Sequence, residues 1–139
     1  MRKKIVLVGG CFDVLHPGHI RFLEKAKKAG EYLIVLLESD KKIKELKGQD
    51  RPIHTQNERK LILKGLKSVD RVILLPYLKN DADYEVVIQQ IKPDIIAATL
   101  GASDNHHKER IAKATGAKLK YVTKMIGSYS TSNILTHRT

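Results

Sequence analysis

Tryptophan is absent from this chain, cysteine occurs once, and aromatic residues make up 5% of it. With one cysteine no internal disulfide can form, and a reducing, cytoplasmic setting is the expectation. The shortage of aromatics argues against a single-strand nucleic-acid binder, which relies on stacking platforms. No apolar run approaches the roughly 20 residues that a membrane span requires. The opening Met1-Arg2-Lys3-Lys4 leads into an apolar stretch too short for a signal peptide and suited to a core strand. Neither G-x-x-x-x-G-K-[ST] nor G-x-G-x-x-G occurs, so a P-loop enzyme and an ordinary dinucleotide-binding oxidoreductase have no support. Acidic residues are few: 15 Asp and Glu face 26 Lys and Arg, a net charge of +11. That balance concentrates phosphorylated molecules near the surface.

What is present is ordered. The 139 residues suffice for one domain, residues 1–139, and an apolar share of 42% is ordinary for a globular chain. Apolar runs at 4–8 and 32–37 read as buried parallel strands, and 71–75, 95–100 and 118–123 read as three further strands. Helical patterns lie between them. One runs from His19 to Ala29, with Leu23 and Ala26 inward. A lysine-rich one follows Ser39 or Asp40 and ends near Gly48. A third follows the capping box Thr55-Gln56-Asn57-Glu58 and carries Leu61, Ile62 and Leu66. Others span 82–91, with Val86, Val87 and Ile91 inward, 103–115, and a short stretch from about Ser130. Strand and helix alternate throughout, which implies an α/β fold: a Rossmann-like, doubly wound, parallel five-stranded sheet. Ligands of such sheets bind beyond the carboxyl ends of the strands.

The first strand ends in Val8-Gly9-Gly10-Cys11-Phe12-Asp13-Val14-Leu15-His16-Pro17-Gly18-His19. The pattern reads as strand, glycine turn, histidine loop, helix. Glycines let backbone approach a bound group, and two imidazoles beside a helix N-terminus can meet an anion. Cys11 can be read as a thiolate favoured near that terminus, or as a small residue filling a tight turn. His106 and His107 fall on different sides of a helix, so no i,i+4 zinc pair forms.

This string resembles the G-x-F-D-x-x-H-x-G-H signature of the cytidylyltransferase-like nucleotidyltransferases, matched by Gly10, Phe12, Asp13, His16, Gly18 and His19. A second family motif resembles Tyr129-Ser130-Thr131-Ser132 near the other end. Lys47-Gly48 before Arg51-Pro52 is similar to the K-G-x-x-R-P segment of the ADP-heptose synthase nucleotidyltransferase domain. Leu46 to Gly48 and Lys92 to Ile96 resemble archaeal FAD synthases, and the chain length suits glycerol-3-phosphate cytidylyltransferase. The resemblance implies transfer of a nucleoside monophosphate from ATP or CTP to a phosphorylated small molecule, with release of pyrophosphate. AMP transfer to FMN leads; glycerol 3-phosphate and a heptose phosphate are the alternatives. A non-catalytic nucleotide or nucleic-acid binder is the rival of another class.

The resemblance also implies roles. His16, His19 and Lys47 would be catalytic. Gly10, Cys11, Phe12, Pro17, Gly18, Asp104, Tyr129, Ser130 and Thr131 would contact the nucleotide. Lys44 and Arg59 would face the substrate phosphate. A divalent ion, Mg²⁺, would bridge phosphate oxygens through ligands the sequence does not reveal. A homodimer is expected by the same resemblance.

Overall fold

The strands at 5–10 and 32–37 lack apolar–polar alternation because helices cover both of their faces. In the computed structural model, which describes residues 2–125, five parallel strands form one sheet in the order β3-β2-β1-β4-β5. They are β1 (Ile5–Gly10), β2 (Tyr32–Leu37), β3 (Arg71–Leu74), β4 (Ile95–Leu100) and β5 (Lys118–Lys124). The helices are α1 (Pro17–Lys28), α2 (Asp40–Lys47), α3 (Gln56–Lys64), α4 (Asp81–Ile91) and α5 (Asn105–Thr115). Successive side chains of β1 part company. Val6 and Val8 enter a core with Leu23 and Ala26 of α1 and Leu63 of α3. Leu7 enters the opposite core with Ile88 of α4 and Ile111 of α5. Each fully buried aliphatic side chain contributes about 1.5–3 kcal/mol.

Register positions the site. β1 pairs with β2 over its whole length, from Ile5↔Tyr32 to Gly10↔Leu37. It pairs with β4 only at Val6↔Ile95 and Leu7↔Ile96. Beyond Leu7 the two strands separate, and a crevice opens at their carboxyl ends, the switch point of a doubly wound sheet.

Several sequence expectations are corrected in detail. Gly9 and Gly10 continue β1 instead of forming its turn, and the left-handed residue is Phe12, with φ 45°. A Cβ on Gly10 would lie 2.9 Å from the Phe12 ring, so it is contact and not φ that requires glycine there. α1 starts at Pro17, not His19, because His16 caps it. α3 buries Arg59 and Leu63 and leaves Leu61 74% exposed. Val86 of α4 is likewise exposed, and Ile88 points inward. The helix expected from Ser130 lies outside the described residues. Among the described residues no helix is long and apolar enough to cross a membrane.

Candidate functional site

The loop after β1 is built by one carboxylate. Asp13, 1% exposed, accepts from Arg51 Nε at 2.6 Å, from Ile53 N–H at 2.8 Å and from His54 N–H at 3.0 Å. Burial works against its charge, but the donors of His54, Arg51 and Ile53 outweigh it and hold the carboxyl below the usual range. The segment after α2 is thereby tied to the turn after β1. Arg59 completes the tie. Its Nε donates to His54 O at 3.1 Å, Nη1 to Cys11 O at 2.8 Å and Nη2 to Asp40 Oδ1 at 2.6 Å. With no exposed surface, Arg59 does not face a substrate phosphate. It holds α3, the Cys11 turn and the start of α2 together.

The two histidines cap their own helix. Gly18 N–H donates to His16 Nδ1 at 3.1 Å, and His16 N–H donates to His19 Nδ1 at 3.3 Å. This reciprocal arrangement is a capping box made of imidazoles. The rings stack with centroids 3.8 Å apart. A ring nitrogen that accepts a hydrogen bond carries no proton, so each neutral ring is protonated at Nε2. Burial, reinforced by the charge of Lys47, lowers the His16 pKa. Burial first, then His16 and Lys47, push His19 down to about 3. Both rings are neutral Nε2–H donors at pH 7. The Gly18 amide, expected to face an anion, is taken by His16.

Lys47 ends α2, where Gly48 turns the chain with φ 104°. Its charge reaches both imidazoles and Cys11. Burial pushes the Cys11 thiol up against that pull, so of its two readings the small residue in a tight turn is the one supported. Lys44, one turn earlier, is exposed. Asp104 stands before α5, pairs with Lys108 at 3.5 Å and lines the crevice. Tyr129, Ser130 and Thr131 lie outside the described residues.

The crevice is a cleft of about 340 Å³. Leu7, Leu36, Leu75, Ile88, Ile96 and Ile111 form its apolar floor; Gly9, Gly10 and Cys11 form one wall. The sequence reading missed Glu38, Lys42 and Tyr84, which also line it. Glu38 had a signal: it follows directly on β2, at the carboxyl edge where ligands of this fold bind. Among the described residues no three His, Cys, Asp or Glu side chains gather to hold a metal ion. The expected Mg²⁺ therefore has no protein cage among the described residues.

A family model described as cytidylyltransferase-like matches residues 7–134. The chain belongs to the cytidylyltransferase-like family. It is 42% identical over 134 residues to the bifunctional protein HldE of Helicobacter hepaticus, covering 96% of this chain and 26% of that protein. The HldE protein of Aliarcobacter butzleri is 38% identical over 133 residues, with the same coverage of each. The chain thus spans about a quarter of the length of these curated relatives. A lipopolysaccharide core biosynthesis protein from Thermoplasma volcanium superposes with TM-score 0.69 at 30% identity, over 90% of this chain and 98% of that one. An Archaeoglobus fulgidus protein of unknown function, 15% identical with TM-score 0.63, shares the fold.

Proposed function

We propose that this chain is a nucleotidyltransferase that moves AMP from ATP to a sugar phosphate and releases pyrophosphate. The observation that carries the proposal is the imidazole capping box: two neutral Nε2–H donors held rigidly beside Lys47 at the switch point. The acceptor's phosphate oxygen is already anionic, so the attack needs no strong base. It needs two polyanions aligned and the charge developing on the α-phosphate offset. A phosphate oxygen of the acceptor forms a bond to the α-phosphorus while the bond to the bridging oxygen breaks. His16 and His19 donate to the oxygens that gain charge, and Lys47 adds a positive charge without a proton transfer. Neutral donors suit this task, because they stabilise charge without giving up a proton. The resemblance assigns the outgoing pyrophosphate to Ser130 and Thr131. It puts Asp104, before α5, among the nucleotide contacts, and we assign the acceptor to the opposite β2–α2–α4 side of the cleft.

Sequence alone put FMN first as acceptor. Three similarities favour a sugar phosphate of the lipopolysaccharide type instead: the K-G-x-x-R-P segment, the HldE proteins and the Thermoplasma protein. The test is incubation with ATP or CTP and each of a heptose 1-phosphate, mannose 1-phosphate, glycerol 3-phosphate and FMN, with products identified by mass. An ADP-sugar with equimolar pyrophosphate is expected. FAD as the only product, or no pyrophosphate from any pair, would reject the reading.

A further inference from the structure

Within the cleft, one group does not suit a phosphate. Glu38 follows β2, and its N–H donates to Gly10 O at 3.1 Å, which places it against the turn that leads to the histidines. Its two carboxylate oxygens accept from Tyr84 Oη of α4 at 2.8 and 3.0 Å. Beside it stands Lys42, 7% exposed, on the first turn of α2. The Lys42 ammonium lies 4.9 Å from the Tyr77 ring centre, 5.9 Å from that of Tyr84 and 3.8 Å from Glu45 Oε1. Glu38, Lys42 and Tyr84 all line the cleft with Gly9, Gly10 and Cys11.

A carboxylate repels the phosphates of both substrates, so Glu38 suits an uncharged, proton-donating part of a ligand. A carboxylate has about four lone-pair sites, and the single Tyr84 hydroxyl cannot fill them. The neighbouring ammonium has three donors. A half-buried acceptor beside a buried donor matches a hydroxyl, which donates through its hydrogen and accepts through its oxygen. Two neighbouring hydroxyls match the pair better still. The apolar floor beneath them suits the carbon face of a ring.

We propose that Glu38, with Lys42, reads the hydroxyl groups of the acceptor sugar and is the specificity-determining residue of the acceptor side. Tyr84 positions the Glu38 carboxylate and remains a phenol. This inference rests on the sugar-phosphate reading above and adds which residues select the sugar.

The test uses steady-state kinetics of the full chain with ATP and whichever sugar 1-phosphate turns over, together with monodeoxy analogues of that sugar. Glu38→Gln should raise the acceptor KM roughly 10- to 100-fold, the weight of a hydrogen bond to a charged group, and leave the KM for ATP within about twofold. Glu38→Asp should recover part of the loss. For one deoxy analogue the wild type should be as weak as Glu38→Gln, because the missing hydroxyl is the one Glu38 meets. Lys42→Met should act in the same direction on the same acceptor parameter. Thermal unfolding of each variant separates a folding defect, which would lower the apparent kcat by loss of active enzyme and leave both KM values in place. An acceptor KM unchanged in a folded Glu38→Gln, or equal losses for all deoxy analogues, would overturn the proposal while leaving the sugar-phosphate reading intact. Failure of the wild type on every sugar 1-phosphate would overturn both.

Discussion

At the scale of single residues, the capping geometry of His16 and His19 makes a statement about protons. Each Nδ1 is an acceptor, so ¹⁵N NMR at pH 7 should find both rings neutral and protonated at Nε2. On acidification His19 should stay neutral until about pH 3, far below an ordinary histidine near 6.5. The native state then binds fewer protons than the unfolded chain between those values. Stability should be flat above about 6.5 and fall as the pH drops below it, by up to ~1.4 kcal/mol per pH unit for this residue. Urea denaturation midpoints measured from pH 7.5 to 4.5 test the sign; a rise on acidification would contradict it. Replacing Lys47 by Met should raise the pKa of both histidines, since its charge depresses them. The Asp13–Arg51 pair is of another kind. Both side chains are buried, and Asp13→Ala leaves Arg51 Nε and the amides of Ile53 and His54 without their acceptor. A loss of about 3–5 kcal/mol in urea denaturation is expected.

At the scale of elements, the sequence was most legible where burial alone decides. β1 and β2 read directly from apolar runs, and the Thr55–Glu58 capping box forms with both of its hydrogen bonds. It was least legible where distant partners decide. Arg59 looked like a substrate contact because Glu58-Arg59 resembles the family's E-R pair, yet its partners Cys11 and Asp40 are brought in by the turn after β1 and by α2. Burying Arg59 turns α3 so that Leu61 faces solvent, against its apolar pattern. Leu61→Gln should therefore change stability by no more than about 0.5 kcal/mol. Gly10 was legible as a glycine, but one constraint on it was not. Its backbone is ordinary strand, and the constraint is the Phe12 ring at 2.9 Å. Gly10→Ala should destabilise by about 1–3 kcal/mol, and the double variant with Phe12→Leu should recover part of that loss. Additive losses in differential unfolding would show that the ring is not the obstacle.

At the scale of the whole molecule, the sheet order explains why chemistry gathers at one edge. β1 lies at the centre, pairs fully with β2 and only briefly with β4, and delivers its loop into the opening between them. Two cores, one on each face, fix that opening from both sides. The histidines, Lys47, Glu38 and Asp104 come from four connections of the chain, and the parallel topology brings their carboxyl-end loops to one side. The central claim is that two neutral imidazoles at the start of α1 support transfer of a nucleotide to a sugar phosphate. Its most direct test is pyrophosphate release from ATP and a heptose 1-phosphate by wild type, His16→Ala and His19→Ala under saturating substrates. The account predicts sustained release by the wild type and a fall in kcat of roughly 10²–10³-fold in each folded variant. Release by either variant at the wild-type rate would contradict it.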